Sequence, residues 1–132
     1  MKLIPYLNLP GNAEEVLNRY QEIFNGTISD VNRFGEMAPP DANYQDKIMH
    51  ARLAFGENML MFSDSMPGQA VDHGNGIYLS IVLADEALAR SIFGQLSEGG
   101  NITMPLEKQF WGALFGQVTD SYGVSWMINC EL

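Results

Sequence analysis

Residues 48–63, IMHARLAFGENMLMFS, decide the fold. Met49, Ala51, Leu53 and Phe55 alternate with Ile48, His50, Arg52 and Ala54, which is the period of a half-buried strand. Gly56-Glu57 is a tight turn, and residues 58–63 read as a second strand. The apolar set with Met49 suits packing under a helix. The set with His50 then points to the opposite face.

Upstream, AEEVLNRYQEIFNG (13–26) supplies that helix. Ala13, Val16, Leu17, Tyr20, Ile23 and Phe24 recur at helical spacing. Asn12 stands in the N-cap position with Glu15 three residues on, and Gly26 is placed as the C-terminal stop. Before the helix, residues 3–9 (LIPYLNL) read as a strand with Pro5 near its start. After it, residues 27–36 suit a strand, and 37–47 are Pro-rich loop. The pattern returns downstream of the turn-rich residues 64–75. GIYLSIVL (76–83) is a strand, and Asp85 caps a helix striped by Leu88, Ala89, Ile92, Phe93 and Leu96. Gly99-Gly100 end it, and NITMPLEKQFW, ALFGQVTD and VSWMINCE are three strands. Leu60-Met61-Phe62 matches Trp126-Met127-Ile128. The expected architecture is α+β: one domain over 1–132, duplicated as two βαβββ modules at about 1–65 and 76–132. Curved mixed sheets should then surround a concave cleft.

Composition narrows the function. The 132 residues are 46% hydrophobic, enough for a core without disulfides. A net charge of -9 with seven Lys plus Arg argues against nucleic acid or an anionic membrane as partner. The single cysteine, Cys130, excludes an internal disulfide and a cysteine zinc cluster. Neither a signal-peptide core nor a stretch of ~18 apolar residues is visible, so a cytoplasmic protein is expected.

Several strings are shared with a known family: PYLNLPGNAEE (5–15), FGEM (34–37), MHARLAFGENMLMFSDSMP (49–67) and QFWGALFGQVTDSYGVSWMIN (109–129), with Tyr20 in the helix. On these the chain resembles the vicinal oxygen chelate superfamily, which includes glyoxalase I, bleomycin-resistance proteins and extradiol dioxygenases. It is most similar to the PhnB-like family, which carries the label of a 3-demethylubiquinone-9 3-methyltransferase domain. Metal-dependent members hold a divalent ion with His and Glu from the first and last strand of each module. Carried over, those places fall at or near Pro5, Met61, Tyr78 and Met127. None is a hard-cation ligand, and the neighbours Ile4, Tyr6, Ile77 and Leu79 supply none either. The resemblance therefore implies a member without the usual metal. A methyl donor needs a Gly-rich strand-to-helix turn or its equivalent, and none is visible.

His50 is the candidate acid or base, with Arg52 beside it as an anion partner. A purely structural histidine, hydrogen-bonded within the sheet, is the competing reading. His73 lies in a DHGN loop and reads as solvated, and Glu36 and Glu107 read as exposed charges. Ser63 ends its strand on the Met61 face. With His50 and Asp64 it has the residue types of a triad but no nucleophile elbow. Tyr6, Met61, Ser63, Tyr78, Trp111, Phe115 and Met127 complete the candidate pocket lining, although Phe110, Trp111, Phe115, Tyr122 and Trp126 serve equally as core or dimer contact. Two functions remain. One is a small-molecule binder without cofactor. The other is an enzyme of lyase, isomerase or transferase type, metal-free or with an atypical metal. A homodimer is expected from the surplus apolar surface around Ile4-Pro5-Tyr6 and the Trp111–Phe115 hairpin.

Overall fold

A computed structural model describes residues Met1–Leu132. They divide into two compact units, Met1–Val71 and Asp72–Leu132. The first contains β1 (Tyr6–Leu9), α1 (Ala13–Phe24), β2 (Thr27–Arg33), a short 3-10 turn (Gly35–Met37), β3 (Ile48–Phe55) and β4 (Asn58–Asp64). The second contains β5 (Leu79–Leu83), α2 (Glu86–Ser97), β6 (Asn101–Lys108), β7 (Ala113–Thr119) and β8 (Ser125–Glu131). Both are four-stranded mixed sheets of one topology, β1-β4-β3-β2 and β5-β8-β7-β6. In each the first strand runs parallel to the last, and the remaining pairs are antiparallel. The duplicated βαβββ architecture is thus present. No helix is long and apolar enough to cross a membrane.

In the first unit, Val16, Leu17, Tyr20 and Ile23 of α1 are buried, as are Ala51 and Leu53 of β3 and Leu60 and Phe62 of β4. Phe24 stacks on Phe55 with centroids 4.5 Å apart, and Tyr20 meets Phe62 at 6.1 Å. In the second unit, Ala89, Ile92, Phe93 and Leu96 are buried with Leu114, Val118, Trp126 and Ile128, while Leu88 is exposed and leaves the expected stripe. Gly116 admits α2 to its sheet, since a Cβ there would stand 2.9 Å from the Phe93 ring and 2.8 Å from Leu106 Cα.

The end of α1 differs from the sequence expectation. Asn12 makes no side-chain cap. Instead Asp64, 3% exposed at the end of β4, accepts hydrogen bonds from the backbone N–H of Ala13 and of Ile48, both at 2.8 Å. One carboxylate thus satisfies an orphan donor of the helix, complements its positive end and pins the start of β3. At the other end Asn25 takes the left-handed conformation at φ 52°. Gly26 serves close approach instead, because a Cβ there would meet Ala54 O and Leu53 Cδ1 at 2.8 Å. In the second unit the local cap holds as expected: Asp85 accepts from Leu88 N–H at 3.1 Å.

The loop before β3 is pinned polar group by polar group. Tyr44 donates to Ser65 O at 2.6 Å, and burial raises its phenol pKa, helped by the Asp64 charge. Lys47 donates to Gly11 O at 2.7 Å. Arg33 forks onto Glu14 at 2.7 and 3.2 Å and holds that carboxyl below its usual range.

Asp64→Ala should cost about 3 kcal/mol in urea denaturation, because it strands two N–H groups, whereas Asn12→Ala should stay within about 0.5 kcal/mol. Equal costs would return the cap to Asn12. A depressed carboxyl pKa stabilises above its unfolded value and loses that contribution as pH falls through the folded one. The Glu14→Gln penalty, under about 1 kcal/mol for this exposed pair, should therefore be present at neutral pH and vanish in acid, below the folded Glu14 value.

Candidate functional site

Because the Ala51–Leu53 face of β3 lies under α1, His50 and Arg52 face the other side of the sheet, as the alternation predicts. Both are half-buried, whereas Ile48, which shares their parity, is fully buried at the strand start. The ladder sets their neighbours. Tyr6 pairs with Met61, Met61 with Arg52, and Arg52 with Ser29, which gives one row across four strands. Tyr6 and His50 make a hydrogen bond of 3.0 Å between the hydroxyl and Nδ1, with ring centroids 5.8 Å apart. Arg52 Nη1 lies 3.3 Å from Asp30 Oδ2. Asp30 takes φ 51° at a register irregularity between Ser29 and Asn32, so a bulge in β2 turns the carboxylate onto the guanidinium. Arg52 Nε is buried without an acceptor.

Ser63 belongs to the same face but donates to Asp64 O at 3.0 Å, and both Asp64 oxygens accept backbone N–H groups. Ser63, His50 and Asp64 therefore form no triad.

In the second unit, Met127 pairs with Ser80 and Gln117 and is half-buried. Phe115 pairs with Asn129, whose side-chain oxygen is buried without a partner. Trp111, 55% exposed, meets Phe115 edge-on at 6.0 Å and Phe110 at 5.1 Å. The aromatic run is split. Phe110 is 97% exposed, whereas Trp126 lies in the core and donates its indole N–H to Asp120 Oδ2 at 3.0 Å. The same buried Asp120 accepts from Tyr122 and Val124 N–H and shapes the β7–β8 turn. Tyr78 precedes β5, half-exposed.

Opposite Met61 stands Tyr6, and opposite Met127 stands Ser80. Pro5 lies outside β1, where its carbonyl accepts from Met61 N–H at 3.0 Å. The β1–α1 link, residues 10–12, is one residue longer than the β5–α2 link, residues 84–85. In the first unit the paired Tyr6 phenol and Met61 thioether are poor donors for a hard divalent cation, and in the second unit so are the Ser80 hydroxyl and the Met127 thioether. No group of three or more His, Cys, Asp or Glu gathers elsewhere to replace them.

The family model for 3-demethylubiquinone-9 3-methyltransferase matches residues 1–129. Protein PA1353 of Pseudomonas aeruginosa is 40% identical with a TM-score of 0.87, covering 99% of this chain and 98% of its own. A putative 3-demethylubiquinone-9 3-methyltransferase, PhnB protein, of Bacillus cereus is 26% identical with a TM-score of 0.86, covering 98% and 99%. The fosfomycin resistance protein FosX of Listeria monocytogenes, complexed with Mn(II) and sulfate, shares the fold at 8% identity and a TM-score of 0.68, covering 100% of this chain and 93% of its own.

Where the Tyr6 hydroxyl is the donor to Nδ1, the neutral His50 ring carries its proton on Nε2. Long-range proton–nitrogen spectra should show that tautomer and lose the preference in Tyr6→Phe, at a stability cost of about 1 kcal/mol or less. An unchanged nitrogen pattern would remove Tyr6 from the site.

Proposed function

The chain belongs to the 3-demethylubiquinone-9 3-methyltransferase family, and on that premise we propose that it is a small-molecule-binding protein of the vicinal oxygen chelate fold that works without the usual metal. The observation that carries this is the group on the helix-free face of the first unit. Tyr6 hydrogen-bonds His50, Arg52 stands two residues along, and Met61 lies in the row between Tyr6 and Arg52. Polar groups set in a partly apolar surface are what orient a small ligand. A flexible thioether adapts to its outline. The metal-free reading is supported in each unit by itself: the paired strands offer Tyr6 and Met61 in the first, and Ser80 and Met127 in the second. Methyl transfer is not part of this reading, since the chain has no Gly-rich strand-to-helix turn for a methyl donor.

A second reading is favoured by one contact. The Tyr6 hydroxyl at 3.0 Å fixes the His50 imidazole, and an oriented imidazole with a free Nε2 is the arrangement of a general acid or base. Such an enzyme would move a proton to or from a ligand seated on this face. The binder and the enzyme share their site and differ in turnover, which His50→Gln would abolish without abolishing binding.

A cytoplasmic homodimer completes the proposal. Cys130 is a buried free thiol, in keeping with a reducing compartment. The exposed Phe110 and Trp111 at the β6–β7 turn are the apolar surface that a two-fold partner would cover.

Protein purified in metal-free buffer should carry no stoichiometric Mn, Zn, Ni or Fe by elemental analysis, and its melting temperature should not respond to these ions. A stoichiometric ion would overturn the metal-free reading. Light scattering at micromolar concentration should give about twice the chain mass of 14.7 kDa. A monomer mass would leave Phe110 and Trp111 to the ligand.

A further inference from the structure

We propose that the helix-free face of the first unit recognises an oxyanion, a carboxylate on an apolar body, through the Nε2–H of His50 and the unused edge of the Arg52 guanidinium. The inference rests on the reading of this face as a ligand site and adds the chemical class of the ligand.

Arginine binds carboxylates through a pair of parallel N–H groups, and each guanidinium has more than one such edge. In Arg52, Asp30 engages Nη1. The edge made of Nε and Nη2 makes no bond, and Nε is buried without a partner. A buried donor with nothing to donate to is uncommon and asks for an explanation. Met61 is the direct cross-strand neighbour of Arg52, and methionine changes rotamer readily. His50 supplies the second donor. When Nδ1 accepts from Tyr6, the ring presents Nε2–H. Residues two apart on a strand share a face about 7 Å apart, within reach of one ligand's two oxygens and body.

The electrostatic surroundings point the same way. The chain carries 16 Asp plus Glu, but the positions flanking Tyr6, His50 and Met61 on this face are Asn8, Ala54, Met59 and Ser63. Asp30 is the carboxylate that reaches Arg52, and it does so from a strained bulge. An incoming carboxylate thus meets donors and competes with one acid. The rest of the ligand would lie against the Tyr6 ring and Met61, which favours a planar apolar body. A single His and a single Arg fix one oxyanion and not a polyphosphate chain.

Benzoate and the neutral benzamide are the probes, titrated into the full-length protein while the Arg52 Nε–H and His50 ring signals are followed by NMR. Benzoate should move both signals saturably and bind at least about tenfold more tightly than benzamide. Arg52→Gln should remove that preference. Asp30→Asn should strengthen benzoate about threefold by removing the competing charge, at a residue type that also tolerates positive φ. This gain cannot be mimicked by misfolding. Equal binding of both probes with shifts on β3 would keep the ligand face and overturn the oxyanion. Benzoate shifts confined to Lys47 and the start of α1 would overturn it as well. Binding of neither probe up to about 20 mM would overturn the oxyanion and the ligand face together.

Discussion

The first unit depends on one buried carboxylate. Asp64 closes β4 and accepts from Ala13 at the start of α1 and from Ile48 at the start of β3. Three elements distant in sequence meet at its two oxygens. The bond to Ala13 sets where α1 begins over the sheet, and hence which face of β3 the helix covers. The bond to Ile48 sets where β3 begins. Together they turn Ala51 and Leu53 under the helix and leave His50 and Arg52 on the other side. The second unit reaches the same topology by another route. The position matching Asp64 is Cys130, a buried thiol, and its helix takes its cap locally from Asp85. The two units share their strand order, while the polar group that caps the helix comes from the sheet in one and from the loop in the other.

Much of this was legible in the residues. The strand period in 48–63, the helical stripes and the match of Leu60-Met61-Phe62 to Trp126-Met127-Ile128 carry the βαβββ repeat, because those patterns record which side of each element is buried. The cap of α1 was not legible. Asn12 and Glu15 have the right types at the right spacing, but Asp64 lies 51 residues from Ala13 and outcompetes them from the sheet. Trp126 was ambiguous for a similar reason: its nearness in sequence to Trp111 and Phe115 hides that alternation puts it on the helix side, where Asp120 satisfies its N–H.

The candidate site divides along the same line. That His50 and Arg52 share a face follows from their spacing alone. That Tyr6 reaches His50 does not, because β4 lies between β1 and β3, and the contact depends on the parallel register of β1 against β4. The bulge that brings Asp30 to Arg52 was likewise hidden in the imperfect alternation of residues 27–33.

The ladder gives the row through Tyr6 and Met61 a particular meaning. The first and last strands of the first unit set a phenol opposite a thioether. The phenol is not idle: it holds the imidazole of the next strand but one. A thioether beside it cannot bind a hard cation tightly but can yield to an apolar group. On the proposed reading, polar recognition has shifted along the sheet from β1 and β4 to β3, where a histidine and an arginine two residues apart do by hydrogen bonding what a cation does by coordination. The demand on the protein then changes in kind. A metal site needs ligands converging on one point. Two N–H donors need orientation, and here one hydroxyl and one strained aspartate supply it.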